Sequence, residues 1–325
     1  MKMNKLSYIF NSGKNPKWLY FLRSYLIYFS PKFIARRRLK SILAKAKKRS
    51  DWDYICERVE YYNKLSGHVA LPDNAMTIGE HTLKNNKSSS VYFFDSYEFL
   101  RYFPTHYKWL SAFGDVTWVP KYPSLVKSRP IDGDNANSVV LKLDKVRHFI
   151  FVDDRWSFAE KEDKAIFRGK VSGKAIRQEF MTQFFGHPRI DVGAIEKNPP
   201  KGEWKVGKMT IQEHLNFRYI LALEGNDVAS NLKWVMSSNS IAVMPRPNYE
   251  TWFMEGKLLP NYHYIEVKED FSDLEEKLDY YSSHIVEVEA IIAHAHEWVE
   301  QFKDKEREEI IALLVLEKYF SICDN

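Results

Sequence analysis

The chain has 325 residues, of which 45% are hydrophobic and 28% are charged, and its formal net charge is +5. This is the composition of an ordinary globular protein, and it excludes wholesale disorder and collagen-like or low-complexity chains. Two cysteines, Cys56 and Cys323, are too few for a disulfide framework or a zinc ribbon and favour a reducing compartment. The length predicts two domains, or one domain with a long extension.

Residues 1–50 form a basic, aromatic N-terminal arm with fourteen lysines and arginines and no aspartate or glutamate, whereas the rest of the chain has nine more acidic than basic residues. Such asymmetry indicates a segment that contacts a polyanion, either a membrane surface or nucleic acid. The aromatic run at 18–29 is too short to span a membrane, and no signal-peptide cleavage site follows it. We expect it to lie on anionic headgroups, followed by a cationic helix at 31–49; the alternative is a helix packed on its own domain.

Residues 51–158 are interpreted as a separate domain with short apolar runs. Buried strands are predicted at 91–94, 116–119 and 149–152, and the polar stretch 131–138 is predicted to be a loop. The last strand delivers Asp153, Asp154 and Trp156 to its carboxyl end, which is where sites of open α/β sheets lie.

Residues 159–284 have the alternation of a parallel α/β sheet and are interpreted as a Rossmann-like domain. Strands are predicted at 165–168, 219–223, 241–244 and 264–267, and helices after 170–177, at 228–236 and at 273–281. Ser272 and Glu275 have the spacing of a capping box for the last of these helices. Residues 285–325 are predicted to be a C-terminal helical segment, nearly continuous from 285 to 320.

Several short motifs occur in order over about 130 residues. They are Trp156-Ser157-Phe158, Phe167-Arg168-Gly169 with Arg177 downstream, Glu224-Gly225-Asn226-Asp227 ahead of Ala229-Ser230-Asn231-Leu232-Lys233, Asn248-Tyr249-Glu250, and Leu259-Pro260 followed by His263-Tyr264. In this order they resemble glycosyltransferase family 90, which includes lipopolysaccharide-core, capsule-associated and protein O-glucosyltransferase-like enzymes. Residues 1–145 carry no motif of this kind.

The resemblance implies an inverting transferase that moves a hexose, glucose or galactose, from a UDP-sugar to a sugar of the lipid A-linked lipopolysaccharide core. The expected fold is α/β of the GT-B type, with two Rossmann-like domains facing a cleft, a basic N-terminal helical arm and a long C-terminal helix. In this fold residues 51–158 would be the acceptor-side domain and residues 159–284 the nucleotide-sugar-binding domain. The basic arm looks most like the bacterial branch, so the expected location is cytoplasmic and peripheral to the inner membrane. Beyond the donor, no cofactor and no nucleic acid partner are expected.

The donor pyrophosphate needs fixed cations and free backbone N–H groups. Cations are expected from Arg168, Arg177 and Lys233, and N–H groups from a helix beginning after residues 224–227. The candidate donor-binding residues are Arg168, Gly169, Arg177, Gly225, Asn226, Asp227, Ser230, Asn231, Lys233 and Glu250, with Glu250 on a loop accepting the ribose hydroxyls. Alternatives stay open: Arg168 as a surface ion pair, Asp227 as a helix cap and Glu250 as a solvated loop residue.

Two positions depart from the family pattern. Eukaryotic members carry an Asp-aromatic-Pro motif with the general base, whereas this chain has Lys121-Tyr122-Pro123, and lysine is a poor base for an alcohol. The base is therefore expected at Asp153 or Asp154, with Asp115 in reserve and Trp156 on the acceptor side. Relatives have an arginine where this chain has Asn231.

Two further interpretations concern metal and catalysis. His284, His294 and His296 lack a cysteine or paired carboxylate at ligand spacing, so no metal site is expected. A catalytically silent membrane- or nucleic-acid-binding protein on the same scaffold is the alternative function, and the lysine at position 121 is its best support.

Overall fold

The structure, a computed structural model, describes residues 13–86 and 88–323. Lys2 and Lys5 of the basic arm lie outside the described residues. The chain divides into two units, each assembled from separate stretches. The sheet unit contains residues 13–15, Arg147–Pro247 and Glu255–Gln301, and the helical unit contains Pro16–Val146, Asn248–Met254 and residues 302–323. The predicted boundaries at residues 158 and 284 both fall inside the sheet unit.

The described residues form short strands and longer helices. The strands are β1 Met76–Thr77, β2 Lys108–Trp109, β3 Ser111–Ala112, β4 Ser124–Val126, β5 Ser128–Pro130, β6 Ser138–Val140, β7 Glu162–Gly169, β8 Ile190–Ala194, β9 Phe217–Leu221, β10 Ile241–Met244, β11 Tyr249–Thr251 and β12 Ile265–Glu266. The helices are α1 Lys17–Phe29, α2 Lys32–Ala46, α3 Trp52–Tyr62, α4 Ser90–Leu100, α5 Lys145–His148, α6 Ala175–Phe184, α7 Ile211–His214, α8 Leu232–Met236, α9 Leu274–Ser283, α10 Ile285–Glu300 and α11 Lys305–Ile322. The protein is therefore a mixed α/β protein, as predicted.

The sheet unit is built on five parallel strands in the order β12-β10-β9-β7-β8. Parallel strands need cover on both faces, and consecutive residues such as Ile166 and Phe167 are accordingly both buried. Phe180 of α6, Leu278 of α9 and Ile291 of α10 pack in the same hydrophobic core. The four strands predicted between 159 and 284 are confirmed, with small shifts in their ends.

The helical unit includes most of the described part of the basic arm, whose helix α2 confirms the predicted cationic helix, while the aromatic run lies in helix α1. Helix α1 packs on α4, and the Tyr20 hydroxyl donates to Asp95 Oδ1 at 2.8 Å. Arg101 donates to the carbonyl oxygens of Ile27 and Ser30 at the end of α1. One side of the arm is therefore attached to its own unit by specific contacts.

Small sheets complete the helical unit. Strands β3, β4 and β6 form a parallel sheet, whereas β5 pairs with β11 and β1 pairs with β2 in antiparallel fashion. The loop predicted at 131–138 is confirmed except for its last residue, which begins β6.

Three strand predictions in residues 51–158 were wrong. Residues 91–94 lie inside helix α4, where the Ser89 hydroxyl caps the helix by accepting from the Val91 N–H. A four-residue apolar run is compatible with a buried helix as well as with a strand, and here the aromatic side chains of α1 cover it. Residues 116–119 and 149–152 are both irregular.

The helix predictions needed three corrections. The C-terminal helix is interrupted, because the Asp304 side chain accepts from the Arg307 N–H and starts α11 anew. Helix α8 begins at Leu232, four residues later than predicted, and is only five residues long. Helix α9 begins after Asp273 without a side-chain cap, so the capping box predicted from Ser272 and Glu275 does not form.

A buried carboxylate joins three elements of the helical unit. Glu308 of α11 accepts from Arg58 at 2.6 Å, from Lys142 at 2.7 Å and from the Trp252 indole N–H at 2.6 Å. Arg58 and Glu308 are 1% and 4% exposed, and burial lowers the pKa of Lys142. One carboxylate thus balances two buried cations.

We expect Glu308→Gln to destabilise the protein by about 3–5 kcal/mol, because it removes the negative charge to which both buried cations, Arg58 and Lys142, donate. Urea unfolding measures the effect. The control is Glu306→Gln on the same helix, whose side chain is 72% exposed, and its effect should stay within about 0.5 kcal/mol. Equal shifts for the two variants would contradict this account of the carboxylate.

Candidate functional site

The carboxyl ends of β7 and β9 meet at one edge of the parallel sheet, and the Arg177 side chain of α6 joins the segments that follow them. Its Nε donates to the Glu224 carbonyl at 2.8 Å, its Nη2 to the Leu223 carbonyl at 2.7 Å and its Nη1 to the Lys170 carbonyl at 2.9 Å. A guanidinium has five N–H donors, so these bonds use three of them. Arg177 therefore shapes this edge and keeps donor capacity for a ligand.

Two glycines make room for the Arg177 guanidinium. It lies over the Phe167 ring, 5.6 Å from the centroid, and a Cβ on Gly169 would lie 2.6 Å from Cζ of that ring. A Cβ on Gly225 would lie 3.0 Å from Nη2 of Arg177. Burial lowers the pKa of Arg177 to about 10. We call this arrangement of Phe167, Gly169, Arg177 and Gly225 the Arg177 site.

The loop between β7 and α6 is held in place by Glu196, which follows β8. Its carboxylate accepts from the backbone N–H groups of Val171 at 2.8 Å and Ser172 at 2.7 Å. The Lys174 ammonium donates to the Asn226 side-chain oxygen, which connects this loop to residues 224–227. The loop therefore holds Lys170 and Lys174 near the carboxyl edge of the sheet in a defined conformation.

The other predicted donor residues of the sheet unit, apart from Ser230, form hydrogen bonds or ion pairs with the protein itself. Arg168 pairs with Asp191 at 2.7 Å on the neighbouring strand. Asn231 donates to the Leu221 carbonyl at 3.0 Å, and the fully buried Lys233 pairs with Glu255 at 2.5 Å. The remaining two are Asp227, which is buried and accepts at its carbonyl from the Gly225 N–H at 3.0 Å, and Ser230, which is exposed.

Glu250 belongs to the helical unit and lies on strand β11, not on a loop as predicted. It is 2% exposed, and its carboxylate accepts from Arg129 at 2.7 Å and from the Tyr61 hydroxyl. It is therefore not a solvated loop residue. A sugar hydroxyl would compete with these two partners for the same oxygens.

The three candidate bases have different surroundings. Asp154 has a 2% exposed side chain that pairs with the buried Lys161 at 2.8 Å and accepts from the Asn239 N–H at 2.9 Å. Asp115, in the helical unit, pairs with Lys127 at 2.5 Å. Asp153 is exposed, as is Trp156 at 56%.

The sequence did not predict the partners of these carboxylates. Lys161, Asn239 and Lys127 have no motif or spacing that links them to an aspartate. Glu196 had a usable signal, because an acidic residue directly after an apolar strand marks the carboxyl edge of a parallel sheet.

Comparison with known proteins decides the family. Residues 138–319 match the family model "Glycosyl transferase family 90". The chain is also 44% identical over 270 residues to "O-glucosyltransferase LpsA" from Dichelobacter nodosus. The aligned region covers 83% of this chain and 84% of that protein. The chain belongs to glycosyltransferase family 90. The resemblance predicted from the motifs is thus confirmed, and the protein is a glycosyltransferase with a sugar donor and an acceptor.

The matched region contains the whole Arg177 site of this family 90 protein. Among residues 13–86 and 88–323, no group of three or more His, Cys, Asp or Glu side chains is placed to hold a metal ion. His296 contacts the Ser238 carbonyl at 2.9 Å, and His294 stacks on Tyr262. None of the described helices is long and apolar enough to cross a membrane.

We expect Gly169→Ala to destabilise the family 90 protein by about 1–3 kcal/mol, because the new methyl group must displace the Phe167 ring. Transfer activity should also fall, because Arg177 rests on that ring. Gly202→Ala is the control, since its Cβ would meet open space. Thermal unfolding and a transfer assay measure the two effects. Full activity in a folded Gly169→Ala protein would contradict the importance of this packing.

Asp154→Asn should destabilise the protein by about 3 kcal/mol, because it leaves the buried Lys161 without its counter-charge. Asp153→Asn should leave the free energy of unfolding unchanged within about 0.5 kcal/mol, because its side chain is exposed. Urea unfolding beside kcat measurements separates stability from catalysis. A normally stable Asp154→Asn protein with a large loss of kcat would instead support Asp154 as the base.

Proposed function

We propose that the protein is an inverting, metal-independent glucosyltransferase of the GT-B type that uses UDP-glucose. Its acceptor is a sugar of the lipid A-linked lipopolysaccharide core. Glucose is preferred to galactose because the relative LpsA is named an O-glucosyltransferase. A parallel sheet occurs in each unit, which is compatible with the GT-B type. Family membership and the named relative favour an enzyme over a catalytically silent binding protein.

The half-buried Arg177 guanidinium is the observation that carries the donor assignment. Its hydrogen-bonding partners are backbone carbonyls. Burial depresses its pKa by more than the nearby carboxylates of Glu196, Asp227 and Glu224 raise it, so its charge is only partly compensated. A pyrophosphate at the carboxyl edge would supply the missing negative charge and accept from the remaining N–H groups. Lys170 and Lys174 stand on the adjoining loop. Arg168, bound to Asp191, is a weaker candidate for direct contact.

The acceptor side is less constrained by the structure. Asp153 is the preferred general base, because Asp154 and Asp115 already form ion pairs with lysines. An aspartate in this role would take the proton from the acceptor hydroxyl as that oxygen attacks the sugar. The exposed indole of Trp156 is suited to stack on an acceptor sugar.

We also propose that the protein associates with the cytoplasmic face of the inner membrane through its arm. Trp18, Leu26, Phe29 and Phe33 of helices α1 and α2 are 55–75% exposed, and the same stretch of sequence contains three cations, Lys17, Arg23 and Lys32. An apolar helix face flanked by lysine and arginine is suited to an anionic interface. Such association needs no membrane-spanning segment.

Incubation with radiolabelled UDP-glucose and UDP-galactose and a truncated core acceptor tests the activity. We expect glucose transfer in the wild type. Arg177→Gln should weaken UDP binding by about ten- to a hundredfold, the effect of losing a charge-assisted contact of roughly 1.5–3 kcal/mol. Calorimetry with UDP measures the affinity.

Arg218→Gln is the matched control. Arg218 also lies over a phenylalanine ring, at 5.3 Å from Phe158, and donates to the carbonyls of Phe158 and Ala159. These contacts lie beside the beginning of β9, at the opposite edge of the sheet. Its variant should lose stability but keep UDP affinity. Equal loss of affinity in both variants would show an indirect effect of unfolding, and unchanged affinity in Arg177→Gln would contradict the donor site.

A further inference from the structure

The helical unit contains a cavity of about 590 Å³ lined by residues of α1, α2, α4 and α11, by the residues that directly follow α1 and α4, and by Lys142 and Lys145 before and at the start of α5. Its lining holds six cations, namely Arg23, Arg38, Arg101, Lys142, Lys145 and Lys305, and three carboxylates, namely Glu98, Glu308 and Glu309. All lining residues belong to the helical unit, whereas the Arg177 site belongs to the sheet unit. The cavity is therefore a second candidate binding site.

Two of the three carboxylates are each shared by two cations. Glu98 accepts from Arg23 at 2.7 Å and also pairs with Lys145, which in turn lies 3.4 Å from the buried Asp95 behind the lining. Glu308 pairs with Arg58 and Lys142, as described above. Glu309 accepts from the Tyr102 hydroxyl at 2.8 Å. The lining consequently keeps a surplus of positive charge.

Arg101 contributes a deeply buried part of that surplus. Its residue is 6% exposed, its Nη atoms donate to main-chain carbonyls, and its buried Nε has no hydrogen-bond partner within the described chain. Burial lowers the pKa of the adjacent Lys32, and repulsion by Arg36 and Arg101 lowers it further. The region would thus be stabilised by an anion.

The cavity is continuous with the exposed apolar surface of the arm. Ile27 of α1 and Ile34 of α2 line it, and Ile34 is itself 46% exposed. Leu26 and Phe29 of α1 and Phe33 of α2 extend this apolar surface. A ligand that carries a phosphate and hydrocarbon chains would match both parts.

We propose that the cavity binds the phosphomonoester headgroup of a membrane amphiphile whose hydrocarbon chains rest on the exposed apolar face of α1 and α2. A phosphomonoester carries a charge of about −1.5 to −2 near neutral pH and three acceptor oxygens, so it suits a lining with surplus guanidinium and ammonium groups. This inference rests on the proposed membrane association and adds the headgroup that is recognised.

The test is sedimentation of the full chain with phosphatidylcholine vesicles that contain either phosphatidic acid or phosphatidylserine, adjusted to equal surface potential. Arg38→Gln/Lys305→Gln removes two exposed cations of the lining. The control, Lys40→Gln/Lys48→Gln, removes two exposed cations of the basic arm that do not line the cavity. Because each double variant loses two positive charges, we expect the two variants to weaken general adsorption to anionic lipid to the same extent.

We expect the wild type and the control to bind the phosphatidic acid vesicles about tenfold more tightly, as one added charge-assisted contact would give. The Arg38→Gln/Lys305→Gln protein should lose this preference and bind phosphatidylserine vesicles as the control does. No binding of the wild type to either anionic vesicle would overturn membrane association itself. Binding without a preference, or equal loss of it in both doubles, would overturn the phosphate site alone.

A soluble ligand is distinguished by calorimetry with glycerol 3-phosphate and with short-chain dioctanoyl phosphatidic acid below its micellar concentration. We expect binding of the lipid to be at least about tenfold tighter, because its chains bury apolar surface on the arm. Equal affinity for the two compounds would assign the cavity to a free phosphate ester and overturn the lipid assignment.

Discussion

The parallel pairing of β7 with both β8 and β9 is the constraint on which the sheet unit depends. It aligns the carboxyl ends of three strands at one edge, so that Glu196 after β8 and residues 223–225 after β9 come within reach of the segment after β7. Parallel strands can do this only when helices cover both faces, and the apolar runs in the sequence satisfy that requirement. The Arg177 contacts are a consequence of this alignment.

Buried and half-buried cations recur in the structure of this protein. The buried Arg58, Lys161 and Lys233 each face a carboxylate, whereas the buried Arg101 and the half-buried Arg177 bond mainly to backbone carbonyls. A buried cation paired with a carboxylate is compensated and stabilises a particular packing. A cation bound to carbonyl dipoles is compensated less completely. Both proposed anion sites therefore lie at guanidinium groups bound in this way, those of Arg101 and Arg177.

The same distinction separates the motif residues by physical role. Family motifs mark residues that hold the fold together as well as residues that contact substrate, and a motif alone does not distinguish them. Glu250 and Lys233 stand in matched motifs, yet both are buried in ion pairs. Gly169 and Gly225 stand in two other motifs and serve packing: a Cβ at Gly169 would lie 2.6 Å from the Phe167 ring, and one at Gly225 would lie 3.0 Å from the Arg177 guanidinium.

The sequence by itself determined the family, four of the five parallel strands between 159 and 284 and the cationic helix of the arm, because motif order, apolar runs and charge asymmetry are local properties. The tertiary structure decided what local patterns leave open. Residues 91–94 are helical because α1 packs against them, and the C-terminal helix divides because the Asp304 side chain caps a new start. It also decided which charges pair, as in Asp154 with Lys161, and Glu250 with Arg129 across 121 residues of sequence. Such pairs depend on distances between segments that are remote in the chain, and no spacing within either segment encodes them.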